Sequence, residues 1–360
     1  MAADLYARRL GWVVAGGFAA WAAGRLAGAD RLGAVGAPAA TLLPFTPLAG
    51  AAAWLTASLL PPGRARTATA SAAIVLTTVV APRAIPRQQP SASGPVLRVL
   101  TANLLIGRAE AEPVVDLVRR AQPDVFFVQE LTGDCARRLR QAGLDDLLPH
   151  VVTAVAAGEP CGNAIYARHR LTVTGSYTEL APVRPVAVLD QPGAPVRLGC
   201  VHLRPPKRPW QASGVSRWRD DLAQTAALPW PAWPGDLPVI LAGDFNSTMD
   251  HAGFRDLLRR GYVDAASQSG NGLVPTWGPL PGGRGALLAL DHVLADARCA
   301  VLRTSVHRLP GTDHRAVFAE LRLPAWSGAA RGEDGVPGIQ PDHVHLSEAG
   351  GGEPGQVLGD

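Results

Sequence analysis

Hydrophobic positions along the chain fall into two regimes. Leu10 to Ala29 is an apolar run broken only by Arg25, and Ala34 to Leu60 is longer and carries no charge. Each meets the roughly 20-residue requirement for a helix that crosses a bilayer. A third run, Thr67 to Ala81, is rich in Ala and Thr and only about 15 residues long. At ~1.5 Å per residue it falls short of a ~30 Å hydrocarbon core unless Arg66 and Arg83 snorkel. From Val96 onward short apolar runs alternate with helical stretches instead. "VLRVLTANL" and "PDVFFVQEL" read as strands flanking an amphipathic helix, "EPVVDLVRRA". Further strands are predicted at "GNAIYA", "LTVTGSY", "VAVLD", "VRLGCVHL", "PVILAGDFN", "LLALDHVLA" and "HRAVFAELRL", with helices near Val215 to Ala227 and Ala252 to Arg260. So many strands in one body imply two packed sheets with helices outside.

Composition follows the same division. Up to Ala81 the only carboxylates are Asp4 and Asp30, and beyond Pro324 the chain turns to Gly, Pro, Glu and Asp. The expected organisation is a membrane anchor of two to three transmembrane helices over 1–85, a linker over 86–95, a catalytic body over 96–324 and a disordered tail over 325–360. A net charge of +4 is mild, so nucleic acid, lipid head groups and other phosphates all remain open as partners. Cys135, Cys161, Cys200 and Cys299 have no metal-type spacing. Cys200 and Cys299 sit in apolar strand-like runs, where a small buried thiol is expected. No protein partner can be inferred.

The number of spans sets the sidedness. Three spans place Arg8 and Arg9 inside with the Arg64/Arg66 turn and put the body outside. Two keep the body in the cytoplasm with every basic flank except Arg31 inside, and the charge rule alone slightly favours two. Thr67 to Ala81 has no charge, however, and the Pro-, Gln- and Ser-rich "RAIPRQQPSASGP" makes a much better linker. The expectation is therefore three spans and a cell-membrane protein with an extracytoplasmic catalytic domain. Apolar segments continuing past the first argue against a cleaved signal peptide.

Polar residues recur where the strands end: Asn103, Gln129 and Glu130, His202, Asp244 and Asn246, Asp291 and His292, Asp313 and His314. Any one of them alone is better read as a turn former or helix cap. Six such sites in order are harder to dismiss. Carboxylate and amide oxygens suit Mg²⁺ or Mn²⁺, and imidazoles beside them suit phosphate charge rather than a zinc cage.

"TANL", "QEL", "VHL", "GDFN", "LDHV" and "TDH", in this order, resemble the endonuclease/exonuclease/phosphatase superfamily over about Val96 to Leu323. The resemblance implies a four-layered α/β sandwich, two packed mixed sheets flanked by helices, and a metal-dependent phosphoesterase. It assigns Asn103, Glu130 and Asp313 to the metal, with Glu130 the principal ligand. Asp244 would deprotonate the attacking water and Asn246 would fix that water or a phosphate oxygen. A protonated His314, hydrogen-bonded by Asp291, would face the charge growing on phosphorus, and His202 would supply a second positive group. His292, one residue after Asp291, is expected on the other side of its strand and outside the site. "GNAIYARHRL" resembles the family's substrate-side segment and so offers Asn163 and Arg168, for which a turn Asn and a solvated Arg are the alternatives. The loop "RPPKRPW" places Arg204, Lys207 and Arg208 at the mouth of the site, either gripping a polyanionic substrate such as nucleic acid or facing an anionic membrane. Expected substrates are phosphodiesters in nucleic acid or phospholipid. The competing expectation is a catalytically silent binding module on the same scaffold, since fold and motif do not fix function.

Overall fold

Strands with helices on one face and a second sheet on the other have no solvated side, so their sequences are apolar at nearly every position. That is how the central strands read in the computed structural model, which describes residues 2–155, 161–177, 184–206, 212–227 and 237–326. One six-stranded sheet has the order β11 (Ala300–Arg308), β12 (Arg315–Arg322), β1 (Val96–Asn103), β2 (Val125–Leu131), β4 (Gly162–Ala167), β3 (His150–Ala154). The other has the order β5 (Leu171–Tyr177), β6 (Arg184–Leu189), β7 (Val196–His202), β8 (Val239–Asp244), β10 (Asp291–Asp296), β9 (Tyr262–Asp264). Both are mixed: β1 with β2 and β7 with β8 run parallel, and the other pairs antiparallel.

The sheets meet across a core that includes Leu97, Val99 and Phe127 from one and Leu198, Ile240 and Val293 from the other. Outside the first sheet, α5 (Ala111–Ala121), α6 (Gly133–Gln141) and α7 (Leu144–Leu147) pack on Phe126, Val128 and Phe318. Outside the second, α8 (Ala212–Ala227) and α9 (Ala252–Arg259) bury Trp218, Phe254 and Leu257 against Leu241 and Leu294. The result is the expected four-layered α/β sandwich. Strands β3, β9 and β11 were not legible in the apolar pattern, and each is an edge. An edge strand is paired on one side only, and much of β3 and β11 is exposed, which weakens the apolar signal.

Four helices precede the body: α1 (Ala2–Ala27), α2 (Gly33–Leu42), α3 (Thr46–Leu59) and α4 (Arg64–Val80). Three stretches, Arg8–Ala27, Gly36–Leu59 and Arg64–Ala84, are long and apolar enough to cross a membrane. The third is helical well beyond the Thr67 to Ala81 run, reaching 21 residues, because Arg64 to Arg66 join its first turn and a 3₁₀ turn extends its end. The second is not one continuous α-helix. A 3₁₀ turn at Leu43–Phe45 containing Pro44 divides it, and its halves pack differently. Ala37 and Ala40 of α2 join the core under α8, whereas Ala49 of α3 packs with Ala22 of α1 and Leu76 of α4.

Buried polar contacts tie the N-terminal helices to the body. Asp250 accepts from Arg25 Nε at 2.6 Å and from both Arg83 terminal nitrogens at 2.5 and 2.7 Å. Arg83 therefore does not snorkel. Asp30 accepts from the Ala252 amide at 2.9 Å, and His251 Nε2 donates to the Ala40 carbonyl at 2.8 Å. Residues 86–95 are also fastened: Arg87 N donates to Gln268 O, the Gln89 side chain accepts from Val301 N, and Gly94 N donates to Leu323 O. The expected tail lies almost wholly outside the described residues.

Candidate active site

Strand register does most of the assembly. Asp244 is paired with His202 on one side and with Asp291 on the other, and Asn103 with Gln129 in the facing sheet. All these positions lie at the same end of the sandwich. At that end Gly243 has φ +149, and a Cβ there would lie 1.8 Å from the Val201 carbonyl oxygen, so the "GD" of "GDFN" requires glycine.

Local strain aims two side chains. The β2–β4 ladder slips between Val128 and Leu131, and Glu130 in that irregularity has φ +57. Asn246 has φ +44, a conformation asparagine tolerates better than most residues. Strain of this kind costs of order 1–3 kcal/mol and persists where surrounding contacts hold it. Here they do. Both Glu130 oxygens accept hydrogen bonds, Oε1 from Asn103 Nδ2 at 3.0 Å and Oε2 from Ile106 N at 2.8 Å. Asn246 donates its backbone N–H to Asp244 Oδ1 at 2.8 Å, and its Nδ2 to Asp244 Oδ2 at 3.1 Å and to Leu203 O at 2.7 Å.

Asp244 is buried and receives a further bond from Asn103 Nδ2 at 3.1 Å. Burial pushes its pKa up to about 7, with His314 pulling it down and Asp291 adding to the rise. His314 donates Nδ1–H to Asp291 Oδ2 at 2.9 Å, and its Nε2 lies 3.8 Å from Asp244 Oδ2. Burial disfavours the imidazolium, but the charges of Asp291 and Asp244 outweigh it and push His314 up to about 10. The site thus holds a carboxylate that titrates near neutrality beside a histidine that stays protonated.

Glu130 and Asp313 supply the remaining acids. Asp313 Oδ2 accepts from Trp277 Nε1 at 3.0 Å, while its Oδ1 is buried with no hydrogen-bond partner. An orphaned, buried carboxylate oxygen is costly unless a cation or a water satisfies it. Asn103 Oδ1 accepts from Leu105 N at 2.9 Å, which leaves its second lone pair. The oxygen-rich donor set fits a hard divalent cation. The ligand atoms of buried Asp244, Asp291 and His314 also lie within 4.8 Å of one another, and this group could hold a metal ion only if His314 gave up its proton.

Arg168 lies at the opposite end of β4 from the site, its Nε 3.6 Å from Asp124 Oδ1 at the start of β2. The antiparallel pairing of β4 with β2 carries it away from Glu130. His202 is at the site, its Nε2 3.6 Å from Glu130 Oε1, and burial pushes its pKa down against the pull of Glu130. Arg204, two residues beyond His202, is paired with Asp221, with Nε at 2.9 Å and Nη2 at 2.6 Å. Asn163 is at the correct end of β4 and buried. Lys207, Arg208 and Trp210 lie outside the described residues. His292 faces away as expected, its ring between Asp264 Oδ1 and the Ser247 carbonyl, both at 3.0 Å.

The motif reading missed Thr276, Trp277 and Thr312. The Thr276 hydroxyl donates to Asp291 Oδ2 at 2.6 Å and accepts from the Leu290 and Asp291 amides at 3.0 Å. Thr312 Oγ1 donates to the Asn103 carbonyl at 2.9 Å and accepts from His314 N at 3.1 Å. The only sequence signal was "PTWG", a Thr–Trp pair between loop formers, and the loop has no periodicity that would mark it.

Comparison with known proteins bears on this geometry. No curated protein matches the chain. Among solved structures, a humanized TDP2 from D. rerio superposes with a TM-score of 0.51 at 17% identity, covering 63% of this chain and 98% of that one. TDP2 from Caenorhabditis elegans gives 0.50 at 15% identity, covering 72% and 82%. Sphingomyelinase C from Streptomyces griseocarneus gives 0.45 at 17% identity, covering 63% and 99%. The model of the endonuclease/exonuclease/phosphatase family matches residues 100–314, from the middle of β1 to His314, and the chain belongs to that family.

Proposed function

We propose that the chain is a membrane-anchored, divalent-metal-dependent phosphoesterase that hydrolyses phosphodiester bonds by in-line attack of water. The observation that carries this reading is one buried cluster in which Asn103 and Asn246 hold the Asp244 carboxylate, Asp291 holds the His314 ring, and His314 Nε2 lies 3.8 Å from Asp244 Oδ2. Above neutrality Asp244 is ionised and accepts a proton from water. Asn246 and Asn103 hold its carboxylate from two sides, so the base cannot turn away. His314, oriented by Asp291 and through it by Thr276, presents Nε2–H to a phosphoryl oxygen, where negative charge grows. Attack of water breaks one P–O ester bond, giving a phosphomonoester and an alcohol. Glu130 and Asp313, with Asn103, would hold Mg²⁺ or Mn²⁺, which when bound stabilises phosphoryl charge as a Lewis acid.

The extracytoplasmic placement rests on the number of crossings. Arg8, Arg9, Arg64 and Arg66 are exposed at the end of the helices away from the body. With that end taken as cytoplasmic, three crossings put the body outside.

The deciding assay is hydrolysis of bis-p-nitrophenyl phosphate by the full chain in detergent. Activity should need Mg²⁺ or Mn²⁺, vanish with chelator and be lost in His314→Ala. Full activity in excess chelator would remove the metal from the reading. No activity with either metal would favour the silent scaffold. A reporter fused to the C-terminus that is active only in the cytoplasm would, if active, reverse the proposed sidedness.

A further inference from the structure

Where the anchor meets the body there is a cavity of about 240 Å³. Phe45, from the break between α2 and α3, and Leu48, from the first turn of α3, form one wall, and Leu273, Leu287 and Leu288, from two body loops, form the other. Arg83 and Asp250, which neutralise each other, also line it, with Thr248 and His292. Small-molecule sites usually run to ~300–1,000 Å³. This space is smaller and more apolar than polar, and its one charged pair is already satisfied, which suits a stretch of hydrocarbon better than a whole polar ligand.

Two further observations say what reaches it. Three of the lining residues are exposed, Leu48 at 55%, Leu273 at 38% and Leu287 at 52%, and Val274, next to Leu273, is 37% exposed. They lie at the level where α3 enters the helical bundle and α4 ends, so a bilayer around that bundle meets this rim. The second observation is the link to the catalytic end. Leu288 is bridged to Trp277, and Trp277 to His314. Two strand spacings place the cavity wall roughly 10 Å from the catalytic histidine. The same ribbon holds Asp291 through Thr276 and Asp313 through Trp277.

We propose that this cavity takes the hydrocarbon chain of a bilayer-resident phosphoester, so that the substrate of the catalytic end is a lipid drawn from the membrane that holds the anchor. The proposal rests on the phosphoesterase reading above and names its substrate class. The chain lies between Leu48 and the paired loops while the phosphate reaches Asp244 and His314. No residue of the cavity wall named here takes part in the chemistry.

The test uses the full chain in vesicles of phosphatidylglycerol and phosphatidylethanolamine, with Leu273→Asn/Leu287→Asn as the variant. Replacing two apolar side chains by amides should lower hydrolysis of long-chain phosphatidylglycerol by ~10-fold or more, because the lipid chain loses apolar surface to pack on. Turnover of bis-p-nitrophenyl phosphate should stay at the parent level. A binding arm without catalysis uses Asp244→Asn and phosphatidylglycerol bearing a diazirine on its acyl chain. Photolabel should appear within residues 272–289, and the double substitution should remove it. Label confined to α1, α3 and α4, or equal loss on lipid and small diester, overturns the proposal. If the parent hydrolyses the small diester but neither cleaves nor is labelled by the lipid, the cavity proposal falls while the phosphoesterase reading stands. Label within 272–289 in a chain that cleaves neither substrate leaves the chain site standing and removes the phosphoesterase reading.

Discussion

Asp244 and Asp250 stand six positions apart in one loop-bound stretch, both buried, and their chemistry diverges. Asp244 receives bonds from neutral donors, Asn246 and Asn103, and shares its cavity with Asp291. Burial wins, and its pKa rises to about 7. Asp250 is equally enclosed, but two hydrogen bonds from Arg83 and one from Arg25 overcome burial and hold it below the ordinary value of 3.8. Burial alone assigns no role to a carboxylate. Its partners decide whether it exchanges a proton or holds two segments together.

The sharpest way to break this contrast is to neutralise each acid. Asp244→Asn should reduce hydrolysis of a small phosphodiester by about 10²–10⁴-fold, the usual contribution of a general base. Thermal melting should fall less than in Asp250→Ala, because burial already disfavours the Asp244 charge and Asp291 remains to partner His314. Asp250→Ala should do the reverse. It leaves the Arg25 and Arg83 cations buried without their shared partner, at about 3–5 kcal/mol. Lower melting and faster proteolysis between anchor and body would report it, with small-diester turnover retained at low temperature.

The two acids should also answer pH with opposite signs, best read with chelator present. Asp244 binds its proton more tightly folded than unfolded, so its contribution to stability falls as pH rises from about 4 through about 7. Asp250 binds its proton more weakly folded, so its contribution is full above about 3.8 and is lost as pH falls through the folded value. Comparing melting curves of Asp244→Asn and Asp250→Ala with the parent across that range separates them. The rate, with metal restored, should rise with pH as Asp244 ionises, with a midpoint below the metal-free value of about 7 because a nearby divalent cation favours the carboxylate. The smallest effect is expected from Thr276→Val, which removes one donor to Asp291 and an acceptor for two amides, at about 1–3 kcal/mol. A fall in kcat with little change in KM would mark Thr276 as positioning His314 through Asp291.

Much of the site was legible in the sequence because it is written in strand ends. Period-two and continuous apolar runs locate central strands, and a polar residue closing such a run stands out against it. Asn103, Glu130, Asp244, Asp291 and His314 were found that way, with the order of their motifs carrying the family resemblance. The position of Arg168 and the pairing of Arg204 with Asp221 could not be read there, because a long basic side chain reaches several ångströms in any direction and its partner is chosen by the fold. Thr276 and Thr312 were invisible for the converse reason: a loop hydroxyl carries no pattern until a carboxylate stands beside it.

Local patterning, which acts over one turn of helix or one strand, therefore determined the apolar head, the central strands and the identity of the reactive side chains. Antiparallel pairing of β10 with β8, the close approach of the β7 carbonyl of Val201 to Gly243 and the capture of Arg25 and Arg83 by Asp250 join residues far apart in the chain. Only the tertiary structure decided those. It therefore also decided the proton affinities of Asp244, His202 and His314, because a pKa depends on the charges and solvent within a few ångströms, whatever their distance along the chain.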